Sequence, residues 1–224
     1  MTSSGARESD LTRVRRLPEK ALTDRESLDA VLDAGFVAHI GIMDSDIPVV
    51  IPVGYARKGN ELLIHGSSAS RLFTVLAAGS QAAVTVTLTD GMVLARSLFE
   101  SSMNYRSAML FGVFREVTGT EEIEALKAIT DHLLPGRWDH ARQPTTQELK
   151  ATRTLAMEID RWSVKVGAGD PDDNPDDLST ESGSALWAGV VPLVSTWGTP
   201  IPDPRVPAGA EVPEYITSWK PPYS

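Results

Sequence analysis

Residues 82–89 alternate without a break, with Val84, Val86 and Leu88 on one parity and Thr85, Thr87 and Thr89 on the other. A period of two describes a strand buried on one face and open on the other, and no helix accommodates it. Shorter runs of the same kind cover residues 37–43, 49–56 and 61–65. The turn residues Asp44–Ser45–Asp46 and Lys58–Gly59–Asn60 separate them. Pro48 and Pro52 need an edge, a strand end or a bulge, because proline cannot donate to a ladder. Asp90–Gly91 reads as a hairpin turn, with residues 92–95 pairing back. A polar link over 97–104, a strand at 109–117 and a last strand at 154–166 complete the β pattern.

Helical signals are fewer. Thr23 and Glu26 have capping-box spacing ahead of Leu28, Val31 and Leu32, which predicts a helix over 24–34 ending at Gly35. A short helix is expected at 71–78, and another at 146–152. Between them Thr120 caps a helix carrying Ile123, Leu126, Ile129 and Leu133, closed by Pro135–Gly136. Strands outnumber helices and come as antiparallel hairpins. With no βαβ alternation and no Gly-rich fingerprint, a Rossmann domain is disfavoured. The expected architecture is mainly β: an antiparallel barrel with covering helices.

The domain organisation follows from composition. Residues 1–17 read as an N-terminal arm with Arg13, Arg15 and Arg16 on it, and 18–166 as the barrel. Residues 167–186 form an acidic loop holding Asp170, Asp172, Asp173, Asp176 and Asp177. Residues 187–224 contain eight of the 15 prolines, which disfavours regular helix. They also hold Trp187, Trp197, Tyr215, Trp219 and Tyr223, too apolar for a free tail. This arm is expected to pack on the barrel or on a partner subunit.

Several function classes drop out. The chain has no cysteine, which removes disulfides, thiolate zinc sites, Fe–S clusters and thiol nucleophiles. A net charge of −9 lacks the basic footprint of a nucleic-acid binder. No apolar run is long enough to span a membrane, and the first twenty residues have no apolar signal core, so a cytoplasmic protein is expected. His39, His132 and His140 show no metal-ligand spacing, so no metal site is expected from them. Neither a nucleophile elbow nor paired catalytic carboxylates appear.

Three stretches carry candidate chemistry. The strand ending at His65 enters the loop Gly66–Ser67–Ser68–Ala69–Ser70 and then a helix starting at Arg71. Hydroxyls and a forked cation suit a phosphate, and they equally suit helix capping beside an exposed arginine. Asn104, Tyr105, Arg106 and Ser107 precede an apolar strand, either as ligands of a planar heterocycle or as a polar turn. Ile51, Pro52, Val53 and Gly54 form an apolar strand whose proline and glycine leave backbone groups open to a flat ring, or mark an edge with a bulge. His65, after an apolar strand and before the Gly66–Ser70 loop, reads from its residues as a contact or proton donor to a bound ligand, or as a packed histidine.

The ordered set I-P-V-G-Y at 51–55, L-L-I-H-G-S-S-A-S-R at 62–71, V-T-V-T at 84–87 with D-G-M-V-L-A-R-S at 90–97, and N-Y-R-S-A-M-L-F-G at 104–112 resembles the pyridoxamine 5′-phosphate oxidase-related family. It is most similar to the flavin-nucleotide-binding, nitroimidazole-resistance-like branch. L-L-P-G-R at 133–137 and W-A-G-V-V-P-L at 187–193 also fit that branch. The resemblance implies a split β-barrel, a homodimer and FMN at the subunit interface. It implies Ser70 and Arg71 as phosphate ligands and Arg106 and Ser107 as further FMN contacts. It also implies residues 51–54 beside the isoalloxazine, Thr85 and Thr87 on a neighbouring strand, and Trp187 covering the flavin from the other subunit. A flavin-dependent oxidoreductase acting on a small molecule, with NAD(P)H as donor, would follow. His65 would face that flavin as a substrate contact or proton donor. A non-catalytic flavin carrier or sensor, or a haem-binding relative with His65 as its iron ligand, are the alternatives. One cation of the usual Ser-Arg-Lys phosphate motif is replaced by Leu72, and the Arg-x-His substrate motif is missing. Both departures argue against pyridoxamine phosphate as substrate.

Overall fold

The computed structural model describes residues 11–179 and 185–220. Nine strands form one antiparallel sheet: β1 (Ala21–Leu22), β2 (Val37–Asp44), β3 (Ile47–Lys58), β4 (Glu61–Ser67), β5 (Gln81–Leu94), β6 (Ser102–Glu116), β7 (Thr152–Glu158), β8 (Arg161–Gly167) and β9 (Gly189–Pro192). Their order is β1-β8-β6-β7-β4-β3-β2-β5-β9, and a β5–β6 pairing closes the ring. This is the split β-barrel expected from the sequence. Helices α1 (Arg25–Ala34), α2 (Arg71–Ala77), α3 (Thr120–Leu133), α4 (Arg137–His140) and α5 (Thr146–Ala151) cover it. Two single-turn helices, α6 (Pro175–Ser179) and α7 (Glu214–Thr217), lie in the C-terminal part.

The barrel interior is filled from every wall. Ile40, Tyr55, Ile64, Val84, Val86, Leu110, Phe114, Leu155 and Val164 come from strands, and Leu28, Leu32, Leu72 and Leu76 from α1 and α2. Tyr55 is fully buried, and its hydroxyl donates to the Leu32 carbonyl at 2.6 Å, so its one polar atom is satisfied. A smaller cluster of Ala56, Leu63, Val117, Ala125, Ile129 and Ala156 seats α3 on the outside of β3, β4 and β7. The cap of α1 is Asp24, which accepts from the Ser27 amide at 2.8 Å, in place of the expected Thr23. Gly119 precedes α3, so Thr120 is its first residue and does not cap it.

Two bulges correct the expected strand pattern. Asp90–Gly91 does not turn the chain. The β5–β6 register shifts there by one residue, and the buried parity changes from Ala82, Val84, Val86 and Leu88 to Val93 and Ala95. The glycine serves a close approach instead, since a Cβ on Gly91 would lie 2.8 Å from the Val191 carbonyl of β9. Consequently Asn104, Tyr105, Arg106 and Ser107 lie inside β6, not in a polar link. The expected strand at 154–166 is two pieces along β6. Phe114 pairs with Met157 and Phe111 with Arg161, an offset of one residue at Ile159–Asp160. That offset lets Leu155 and Met157, then Val164, all face the core.

The acidic loop is anchored by Asp173, which accepts from the Arg96 amide and guanidinium, both at 2.6 Å. The C-terminal arm adds β9 to the edge of β5 and then crosses to the corner between α3 and α4. There Trp197 packs against Phe36 and Trp219, and the Trp219 indole donates to the Pro135 carbonyl at 3.0 Å.

Candidate functional site

β3 and β4 pair only from Lys58/Glu61 to Tyr55/Ile64. Beyond that point β4 continues along β7, while residues 47–54 continue along β2. A split opens between them. Among the described residues no strand pairs with the outer edge of 47–54, so alternate backbone groups of Ile51, Pro52, Val53 and Gly54 face it. The loop after β4 forms the other wall. Ser70 donates its amide to the Ser67 carbonyl at 2.9 Å, Ser67 Oγ accepts from the Ala69 amide, and the Ser70 hydroxyl makes no capping bond. Arg71 stands at the far end, 66% exposed, with its Nε 3.1 Å from Asp44. An exposed pair of this kind is worth about 0–1 kcal/mol, so another anion could draw the guanidinium off Asp44 at little cost.

The remaining candidates lie elsewhere. Thr85, Thr87 and Ser107 sit on the outer face of the sheet, where the row Pro52–His39–Thr85–Met109–Ser163 runs across five strands. Val37, Met43, Val50 and Met109 expose apolar surface on the same side. Arg106 forks onto Asp90 at 3.0 and 2.7 Å, and Asn104 donates to the Gly169 carbonyl at 3.1 Å. The Tyr105 ring covers Gly167, and the exposed Trp187 ring covers Gly189. Within one chain these residues do not converge on the β3–β4 split.

His65 opens on a different side. It ends the apolar run of β4, directly opposite Thr154 of β7. It lines a hollow of about 330 Å³ with Leu126 and Thr130 of α3, Arg137 and Trp138 of α4, and Leu149 of α5. Its ring is open to the surface, yet desolvation by these walls holds its pKa below the ordinary imidazole value. The sequence pattern closes the α3 helix at Pro135–Gly136 and gives the residues that follow no role. The missed signal is Trp138, a large ring two residues after the Pro–Gly stop, on a four-residue helix too short for periodicity to reveal.

The hollow's rim is held by charge. Arg142 forks onto Glu148 at 2.8 and 2.7 Å, and Glu148 also accepts from the Thr145 amide at 2.7 Å in a reciprocal cap. The Arg142 bonds first, then those from Thr145, pull the Glu148 carboxyl down to about 2. A lowered carboxyl stabilises the fold above its unfolded pKa, ~4.3, and that stabilisation is lost as pH falls toward 2. In an NMR titration the Glu148 carboxyl is expected to turn over near 2, and Arg142→Gln to move it upward. An ordinary midpoint in the unmodified protein would show that the rim is not assembled.

The family model for pyridoxamine 5′-phosphate oxidase matches residues 24–166. The chain is 44% identical to the FAD- and haem-binding protein of Mycobacterium smegmatis over 88% of this chain and 96% of that one, with a TM-score of 0.84. It is 36% identical to the flavocytochrome Anf3 of Azotobacter vinelandii over 95% and 98%, with a TM-score of 0.87. A Bacteroides thetaiotaomicron protein provisionally assigned to 5-nitroimidazole resistance shares the fold at 20% identity over 65% and 86%, with a TM-score of 0.56. No curated protein matches. With the matched barrel spanning well over half its length, the chain belongs to the pyridoxamine 5′-phosphate oxidase family.

Proposed function

We propose that this protein binds a flavin and a haem and serves as a flavin-dependent oxidoreductase. The observation that carries the reading is that one chain offers two separate sites of different chemistry. The β3–β4 split has an open backbone edge, free hydroxyl chemistry and a displaceable cation, Arg71, which fit the polar edge and phosphate of a flavin nucleotide. The His65 hollow has one imidazole held toward its neutral form, a Trp wall, apolar Leu126 and Leu149, and cations at the rim, which fit a haem with its carboxylates. The names of the two relatives at 44% and 36% identity pair the same two groups.

Bound together, a flavin and a haem supply two-electron and one-electron transfer, suited to a donor such as NAD(P)H and a small-molecule acceptor. The chain's own part is to orient and to shield. Residues 51–54 present backbone donors and acceptors, Ser70 and Arg71 would hold the phosphate, and α4 with Trp138 walls one side of the imidazole. The exposed apolar sheet face around His39, Thr85 and Met109 is proposed as the homodimer interface, which would bring Thr85, Ser107 and Trp187 toward a partner's split. FMN was the expectation from sequence; FAD carries the same ring and proximal phosphate, and the name of the Mycobacterium smegmatis relative favours it.

Titration of apoprotein with FAD and with FMN tests the flavin site. Arg71→Ala is expected to weaken either flavin about tenfold, the loss of one charged hydrogen bond, while leaving haem uptake unchanged. Equal flavin affinity in both proteins would remove Arg71 from the site.

A further inference from the structure

Among the described residues Thr154 is the one buried residue of the polar and charged types, 1% exposed, and its hydroxyl has no hydrogen-bond partner. Its backbone is satisfied, with the carbonyl accepting from the Val117 amide at 3.0 Å. A buried hydroxyl left unpaired costs free energy that valine, of nearly the same shape, would avoid. Such a group calls for a partner. A resident water needs two to four polar neighbours; on this face of β4 and β7 Leu63 and Ala156 are apolar and the Thr152 hydroxyl already donates to the Glu148 carbonyl.

The register supplies the partner. Thr154 lies directly opposite His65, so both side chains leave the sheet on the same face, with Cβ atoms about 4.5–5.5 Å apart. An imidazole that binds a metal through one nitrogen leaves an N–H on the other, and that N–H needs an acceptor to set the ring's orientation.

We infer that Thr154 is the positioning residue for His65, its buried hydroxyl accepting the ring N–H while the opposite nitrogen faces the hollow between α3 and α4. This rests on the proposed haem reading of that hollow. The bond fixes the imidazole plane, makes it a stronger donor to iron and removes the orphan hydroxyl from the folded protein. It assigns a function to a residue in the middle of β7 that touches no cofactor itself.

The test compares Thr154→Val and Thr154→Ser with the unmodified protein after loading with haemin. Thr154→Val is expected to lower the iron–imidazole stretching frequency in resonance Raman, to shift the midpoint potential, and to weaken haem binding about 10–100-fold, with flavin affinity unchanged. Thr154→Ser, which keeps the hydroxyl, is expected to retain the unmodified values. Should Thr154→Val fold poorly, Thr154→Ala against Thr154→Ser separates hydroxyl from volume. Identical spectra and haem affinity in the hydroxyl-free variants, with haem still lost in His65→Ala, would overturn this inference alone. An unmodified protein that takes up no haemin would overturn the haem reading and this inference together.

Discussion

His65→Ala is expected to abolish haem binding and to spare flavin binding. Among the described residues its imidazole is the one histidine ring lining the hollow with Leu126, Thr130, Trp138 and Leu149, and it lies on the far side of β4 from the barrel core. Because the side chain is open to the surface, its removal creates no core cavity, and the thermal midpoint of the apoprotein should hold. The checking measurements are the Soret absorbance of haemin-loaded protein and the flavin released on denaturation. Loss of the Soret band with flavin retained is the expected result. A full Soret band in His65→Ala would place the iron on another residue.

Gly66→Ala has the second large effect, through the core. A Cβ at this position would stand 2.3 to 2.9 Å from three atoms of the Phe73 ring. Phe73 is buried at 4% exposure within the main core cluster, so the ring has little room to retreat. Forcing extra volume into a packed core costs about 1–3 kcal/mol. For a chain of this size each kcal/mol lowers Tm by about 2–4 °C. The same strain displaces the loop from Ser67 to Arg71, so flavin affinity falls together with stability. Phe73→Leu in the Gly66→Ala background should recover part of both, a coupling that a double-mutant cycle reads directly. Additive losses would mean that the ring and the glycine do not meet.

The strands β2 to β4 and helices α1 and α3 were legible because each has a local cause: period two between turn residues, or period 3.6 after a polar start. Features set by non-local contacts were not. The Asp–Gly pair at 90–91 carries the same local signal whether it turns a hairpin or bulges a long strand. Only the approach of Val191 and Pro192, a hundred residues later, decides for the bulge. The one-residue offset at Ile159–Asp160 is likewise a property of pairing with β6. At the site, Ile51, Gly66, Ser70 and Arg71 could be singled out because strand, glycine and loop follow one another in the chain. Trp138 and Thr154 could not. A tryptophan on a four-residue helix and a threonine in a strand become notable only when α4 lies over the hollow and β7 pairs with His65.

The absorption spectrum of the purified protein, followed by denaturation and separation of what is released, tests the two-cofactor reading most directly. A Soret band superposed on flavin bands, with FAD and haem both recovered in amounts matching the protein, is the expected result. A colourless protein that takes up neither added FAD nor added haemin would contradict it, and would leave the split barrel without the chemistry proposed for it.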